Sequence, residues 1–164
     1  MYANILVPVD GSETSKLALE EAIRLARSQG SRLRLLHVVN EYVFDDPCAP
    51  SALTGSVIES LREGGQKILA EAQARVAREG VACDAILLES LGGPAAKFIV
   101  EQAQQWPAAL VVMGTHGRRG LARLTLGSDA EHVVRASPVP VLVVHGKLPQ
   151  QAAQKQGATE VRAA

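Results

Sequence analysis

Three glycines and one serine in the last third of the chain could bind a phosphate group. Gly114 and Gly117 are separated by two residues, and Gly127 follows after nine more, with Ser128 next to it. Glycine permits positive φ and the close approach of a ligand, while the first turn of a helix offers unpaired N–H groups and a partial positive charge. The array follows a short apolar run and ends where a helical pattern starts. Because phosphate oxygens bind readily at such a helix start, the segment predicts a phosphate site.

Two residues at this helix start also have other interpretations. Ser128, with Glu131 three residues later, matches a capping box, which any helix can use. Asp129 suits the positive end of the helix dipole but would face a bound polyphosphate. Two unit charges about 4 Å apart repel each other by about 4 kcal/mol at an effective dielectric constant near 20. A magnesium ion or an outward rotamer of Asp129 would remove this conflict.

Charged and titratable residues lie between the glycines. Arg118, Arg119 and Arg123 could close over a phosphate group or stay solvated. The cluster is small and lacks interleaved aromatic residues, so it does not indicate nucleic-acid binding. His116 has no readable orienting partner, which favours an exposed loop histidine over an acid or base. The sequence therefore predicts no catalytic residue.

The elements that must position these residues alternate along the chain. Five short apolar runs alternate with segments of helical period, which is the pattern of repeated βαβ units. The first run is almost continuously apolar, so we expect a central strand covered on both faces. The predicted strands are 3–9, 33–39, 82–88, 109–113 and 139–144, and the predicted helices begin at Ser12, near Val57, at Pro94 and at Ser128.

Local signals set several boundaries. Ser12 is the expected N-cap of the first helix and Gly30 its end. Residues 40–55 lack periodicity and predict a long surface loop. The second helix is predicted over 57–79, where Gly64 and Gly65 weaken its middle. Pro94 is expected in the first turn of the third helix.

The composition favours one α/β domain in a reducing compartment. Lys plus Arg and Asp plus Glu number 17 each in 164 residues, so no overall field draws the protein to nucleic acid or a membrane surface. Cys48 and Cys83 are isolated, and no Cys or His has metal-ligand spacing, so neither a disulfide framework nor a metal site is expected. The N-terminal apolar run is short and breaks at Pro8, which predicts no signal peptide and no membrane span. We therefore expect a cytoplasmic protein.

Several segments together resemble the universal stress protein family over about residues 1–146. They are the opening NILVPVDGSETSKLALEEA, the second strand LRLLHVV with His37, the glycine array, and the run VVRASPVPVLVVHG. The resemblance implies a Rossmann-like open sheet of five parallel strands in the order 3-2-1-4-5, with helices on both faces, similar to adenine nucleotide alpha hydrolases. Residues 147–164 are then a polar tail, disordered or a fraying helix.

By this resemblance the ligand would be ATP, with or without Mg²⁺, bound where the first, second and fourth strands end. The residues implied for adenine and ribose are Pro8, Val9, Asp10, Val38, Met113 and Gly114, and those implied for the phosphates are Gly117, Gly127 and Ser128, with Asp129 beside them. Open parallel sheets bind ligands outside the carboxyl ends of their strands, which independently indicates the same place. Asp10 could instead end the first strand with a side-chain-to-backbone turn.

The last strand predicts a contact between two copies of the chain. Pro138 and Pro140 are typical of an edge strand, where a missing N–H breaks no ladder. An exposed apolar edge invites pairing, and the family resemblance implies a homodimer through this strand, with Val139, Val141 and Val143 in the contact. The alternative is a monomer whose edge is covered by the C-terminal tail.

Three functions fit these observations. The leading interpretation is a homodimeric regulator of the stress response whose nucleotide occupancy changes a surface read by an unknown protein partner. The second is a protein-interaction module of the same family without tight nucleotide binding, which Asp129 favours. The third is an adenylate-transferring catalyst on the same architecture, for which no catalytic groups are visible; any ATP hydrolysis would be slow and incidental.

Overall fold

Strands and helices alternate along the chain, as the sequence predicts. A computed structural model describes residues 1–40, 51–90, 93–115 and 126–146. Its elements are β1 Asn4–Pro8, α1 Glu13–Gln29, β2 Arg32–Asn40, α2 Ser51–Arg78, β3 Cys83–Ser90, α3 Ala95–Gln105, β4 Leu110–Gly114, α4 Ser128–Ala136 and β5 Val141–Val144. Among the features discussed above, Cys48, His116, Gly117, the three loop arginines and the tail 147–164 lie outside the described residues.

The five strands form one sheet in the order β3-β2-β1-β4-β5, and every neighbouring pair is parallel. Helices α1 and α2 cover one apolar cluster on the sheet, and α3 and α4 cover a second cluster on the other face. Ile5, Leu6 and Val7 of β1 are fully buried, which explains the unbroken apolar sequence of this central strand. The predicted fold class and strand order are confirmed. No helix in the described ranges combines the length and apolarity that crossing a bilayer requires.

The predicted signals at the two ends of α1 are confirmed. Ser12 is the N-cap, and its hydroxyl oxygen accepts a hydrogen bond of 3.2 Å from the Ser15 N–H. Gly30 ends the helix with φ of 68°, in the left-handed region that glycine adopts without strain. The start of α1 lies beside the carboxyl ends of β1 and β4.

Three predicted boundaries are wrong. Helix α2 begins at Ser51, so residues 51–55 are helical rather than part of a loop. Pro94 is the N-cap of α3 rather than a first-turn residue, because its ψ of 146° is extended. The last strand begins at Val141 rather than at residue 139, because the Val139 N–H bonds the Ser137 hydroxyl, at 3.2 Å, instead of a strand.

The paired glycines of α2 have different surroundings. A Cβ atom at Gly64 would meet nothing within 4 Å, whereas one at Gly65 would lie 2.6 Å from Cδ2 of His37 and 3.0 Å from Cδ1 of Leu87. Gly64 is exposed and Gly65 is buried. The helix therefore needs glycine at Gly65, where it lies directly against β2, and gains nothing from glycine at Gly64.

These surroundings predict opposite effects of two neighbouring substitutions on stability. Gly64→Ala should raise the free energy of unfolding by about 0.5–1 kcal/mol, because alanine restricts the unfolded chain and favours the helix. Gly65→Ala should lower it by about 1–3 kcal/mol, because the added methyl group overpacks a buried contact. Urea denaturation of both variants measures the difference; equal effects would contradict the close packing of α2 on β2.

Candidate functional site

Those of the predicted ligand-binding residues that the structure describes lie where β1, β2 and β4 end and where α4 begins. Pro8 ends β1, which lies between β2 and β4. Val38 and Met113 both pack with the cluster under α3 and α4, on opposite sides of β1. The alternation of β1 places Pro8 on that same face. The chain runs from β1 to β2 on one side and reaches β4 on the other, so this is the point where strand order reverses and ligands bind in open parallel sheets.

A tight turn follows β1. The Val9 N–H donates to the Leu36 carbonyl oxygen at 2.8 Å, which ties the chain to β2 beyond the last paired residue of β1. One carboxylate oxygen of Asp10 accepts the Ser12 N–H at 2.9 Å. Asp10 therefore forms the predicted side-chain-to-backbone turn, and its contact with a ligand stays a prediction. Gly11 completes the turn with φ of 82°.

Gly114 at the end of β4 is required by packing. A Cβ atom there would lie 2.8 Å from both the carbonyl carbon and the hydroxyl oxygen of Thr14 in the first turn of α1. Since backbone atoms cannot move aside as side chains do, only glycine fits between β4 and α1. This packing role is additional to the ribose contact that the family resemblance implies.

Two backbone hydrogen bonds join Thr115, directly after β4, to the end of β5 and to the start of α4. The Thr115 N–H donates to the Val144 carbonyl at 3.0 Å, and the Thr115 carbonyl accepts the Gly127 N–H at 2.8 Å. The Gly127 amide, predicted as a phosphate donor, is thus engaged with the protein itself. Its hydrogen bond instead fixes the start of α4 against the end of β4.

Helix α4 begins at a residue that has no side chain to cap it. Gly127 is the N-cap, with φ of −66° and ψ of 154°. The interpretation of Ser128 as the cap of a capping box is therefore wrong, because Ser128 is already the first helical residue. Its side chain is exposed. The first amides of α4 and the Ser128 hydroxyl are thus placed to bind an anion beside the end of β4.

The carboxylate of Asp129 is directed to another helix. Its Oδ1 accepts the N–H of Ala96, in the first turn of α3, at 3.2 Å. The N-cap of α3 is Pro94, which has no side-chain acceptor, so Asp129 serves as the cap from outside the helix.

This contact predicts that Asp129 stabilises the fold. Asp129→Ala should lower the free energy of unfolding by about 1 kcal/mol, the usual value of a helix cap. Asp129→Asn keeps an acceptor for the Ala96 amide and should lose less than half of that. Thermal and urea denaturation of both variants test the contact. Equal stability of wild type and Asp129→Ala would contradict it.

Three residues around the site were not singled out from the sequence, namely Gly11, Thr14 and Thr115. The Asp-Gly pair at positions 10 and 11 is a turn signal that could have identified the first of them. Thr14 and Thr115 depend on contacts between distant segments. His37 was placed correctly in the second strand, but its contacts could not be derived from local pattern.

Elsewhere in the described chain, the thiol of Cys83 and the carboxyl group of Asp84 have shifted pKa values. Burial, with a smaller effect of the Asp84 carboxylate, raises the pKa of the Cys83 thiol to about 11, so it stays protonated at neutral pH. Hydrogen bonds from Arg34 lower the pKa of Asp84, with further contributions from Arg32. Within the described ranges, no three His, Cys, Asp or Glu side chains are grouped so that they could hold a metal ion.

This sheet, with the start of α4 beside its switch point, defines a Rossmann-like α/β fold. The profile of the universal stress protein family matches residues 1–145. The chain therefore belongs to the universal stress protein family.

Individual relatives agree with this family. Universal stress protein MJ0531 of Methanocaldococcus jannaschii is 37% identical over 147 residues, which cover 88% of this chain and 82% of that protein. The solved structure of protein MJ0577 from the same organism is 28% identical, with a TM-score of 0.80, and the match covers 90% of this chain and 98% of that one. A universal stress protein solved in complex with cAMP is 26% identical, with a TM-score of 0.62, over 88% of this chain and 97% of that one.

Proposed function

We propose that this protein binds ATP at the carboxyl edge of its sheet and acts as a homodimeric, cytoplasmic regulator of the stress response. The observation that carries the proposal is the start of α4, where the N-cap Gly127 has no side chain to cap the helix and Ser128 is exposed. A solved relative that binds cAMP supports an adenine nucleotide as the ligand. Binding of the nucleotide would change the surface that an unknown protein partner recognises.

In this proposal the phosphates bind at the first turn of α4. The donors are the Ser128 hydroxyl and the backbone amides that follow Gly127, since the Gly127 amide is engaged with Thr115. The positive end of the helix dipole adds to their attraction for phosphate. Gly117 stays a predicted phosphate contact, and Mg²⁺ would share the triphosphate charge with these donors.

The adenosine part lies over the ends of the strands. Pro8, Val38 and Met113 provide apolar surface on one face of the sheet. Val9 and Asp10 form the backbone turn at the edge of this surface. An apolar surface beside a line of N–H donors matches a flat base joined to a charged chain.

The position of Asp129 weakens the competing interpretation. A protein-interaction module without tight nucleotide binding was favoured by repulsion between this carboxylate and a phosphate. Because Asp129 bonds the Ala96 amide, its charge is offset by the start of α3. We therefore favour the nucleotide-binding regulator.

Two substitutions at Ser128 test the ATP site. Ser128→Ala removes one donor to a charged group and should weaken ATP binding about tenfold. Ser128→Asp keeps a residue type that suits the first turn of a helix, so the fold should keep its stability. Its charge, about 4 Å from a phosphate, should weaken binding by two to three orders of magnitude, on the basis of about 4 kcal/mol of repulsion.

Calorimetric titration with ATP and Mg²⁺ measures these effects, and mass spectrometry identifies any nucleotide that copurifies. The matched control is Ser28→Ala, since Ser28 is exposed and bonds only the Leu25 carbonyl near the end of α1. This variant should bind ATP within twofold of wild type. A wild-type protein that gives no heat and releases no nucleotide would contradict ATP binding.

The dimer is proposed through β5, which is an edge of the sheet. Val139 and Val141 are half-buried and pack against the cluster under α3 and α4. Val143 is also half-buried, but in the described part of the chain it belongs to neither core cluster. Its side chain is therefore the one best placed to be buried by a second copy. Backbone pairing of two edge strands would satisfy their outward N–H and C=O groups.

One substitution on β5 tests the dimer. Val143→Lys should convert the protein to a monomer at micromolar concentration, because a dimer would bury two unpaired charges at its twofold axis. Val134→Lys is the control, since Val134 is a 46% exposed valine on α4 rather than on the edge strand. Sedimentation equilibrium gives the mass of each. A monomeric wild type, or a dimeric Val143→Lys variant, would contradict the proposed interface.

A further inference from the structure

We infer that His37 is a positioning residue, which sets the backbone of Val9 and Asp10 in the shape that receives the adenosine part of the ligand. The inference rests on the proposed nucleotide site and adds a residue to it. His37 lies on β2, one strand away from the Val9–Asp10 turn, and contacts this turn through Nδ1.

The imidazole donates a hydrogen bond to the end of β1. Its Nδ1 lies 2.6 Å from the Val9 carbonyl oxygen. A carbonyl oxygen can only accept, so Nδ1 carries the proton. Val9 and His37 are each 5% exposed, and β1 pairs with β2 only as far as Pro8. A buried carbonyl beyond the paired strand needs a donor, and His37 supplies it.

Helix α2 holds the ring in place from the other side. A Cβ atom at Gly65 would lie 2.6 Å from Cδ2 and 3.1 Å from Nε2 of His37. The ring is therefore enclosed between the backbone of α2 and the Val9 carbonyl, with no room to rotate away from either. Glycine at position 65 is what allows the helix to approach this closely.

The same helix also contacts the turn on the far side of Asp10. A Cβ atom at Gly11 would lie 3.3 Å from Cδ1 and Cγ1 of Ile68, which is one turn beyond Gly65 along α2. Helix α2 thus supports Val9 through His37 and Gly11 through Ile68. The backbone of Asp10 is held between these two supports.

The proposed phosphate donors depend on a different set of contacts. The start of α4 is fixed by Thr115 and by Asp129, which bond Gly127 and Ala96. His37 and Gly65 take no part in these bonds. A change at His37 should therefore weaken the binding of adenosine but leave the binding of a free polyphosphate unchanged.

Three probes separate these parts of the site: ATP, adenosine and inorganic tripolyphosphate. His37→Leu removes the donor, His37→Asn keeps a donor close to the position of Nδ1, and Gly65→Ala displaces the ring without changing it. The control is Gly64→Ala, whose methyl group meets nothing within 4 Å. Affinities are measured by calorimetry or by ligand-observed NMR on protein shown to be folded.

We expect His37→Leu and Gly65→Ala to weaken ATP and adenosine by a similar factor, about tenfold, because a buried carbonyl loses its donor. Tripolyphosphate affinity should stay within twofold of wild type, and His37→Asn should recover most of the loss. Equal losses for all three probes would show a general structural role and overturn the inference, as would wild-type adenosine affinity in both variants.

The imidazole itself provides a test that needs no ligand. Nitrogen-15 NMR of the wild-type protein should show the Nδ1–H tautomer for His37, and this result also covers the case in which His37→Leu fails to fold. An Nε2–H tautomer would overturn the inference and leave the proposed nucleotide site intact. A wild-type protein that binds none of the three probes would overturn both.

Discussion

The hydrogen bond from the Gly127 N–H to the Thr115 carbonyl is the contact on which the proposed site depends. It holds the start of α4 against the end of β4, and Thr115 is in turn bonded to the end of β5. The first turn of α4 is therefore fixed relative to β4 and β5 of the sheet. Its amides are preorganised for an anion, since few groups would have to move on binding. An N-cap side chain at position 127 would have competed for these same donors, and glycine has none.

Several glycines of this chain are required at their positions for different structural reasons. Gly114 fits because Thr14 of α1 approaches its backbone, and Gly65 fits because His37 approaches α2. Gly11 is needed for a positive φ. Gly127 begins α4 as an N-cap that has no side chain, and its own amide bonds the Thr115 carbonyl. A glycine array read from sequence therefore combines packing requirements with ligand requirements, and the contacts of each residue separate them.

The sequence predicted what depends on local pattern. Continuous apolar runs predicted the buried parallel strands, and Ser12 and Gly30 predicted the limits of α1. The helical period that begins after Gly127 predicted α4. The start of α2 was missed because Gly55 and two serines near it obscure a helical period. The cap that Asp129 provides and the bond from His37 to Val9 span 33 and 28 residues, so no local pattern could reveal them. The resemblance to a known family supplied the predictions of an ATP ligand and of a dimer, which composition alone did not.

The most direct test of the account is an amide NMR titration of the nitrogen-15-labelled protein with ATP and Mg²⁺. Binding of ATP at the proposed site predicts that the largest shift changes fall at the first turn of α4, from Ser128 to Ala130, and at Val9 and Asp10 after β1. It also predicts little change in the second half of α1, which is remote from the carboxyl edge of the sheet. Saturable shifts confined to any other surface, or no shifts at the start of α4, would contradict the claim that this helix start binds phosphate.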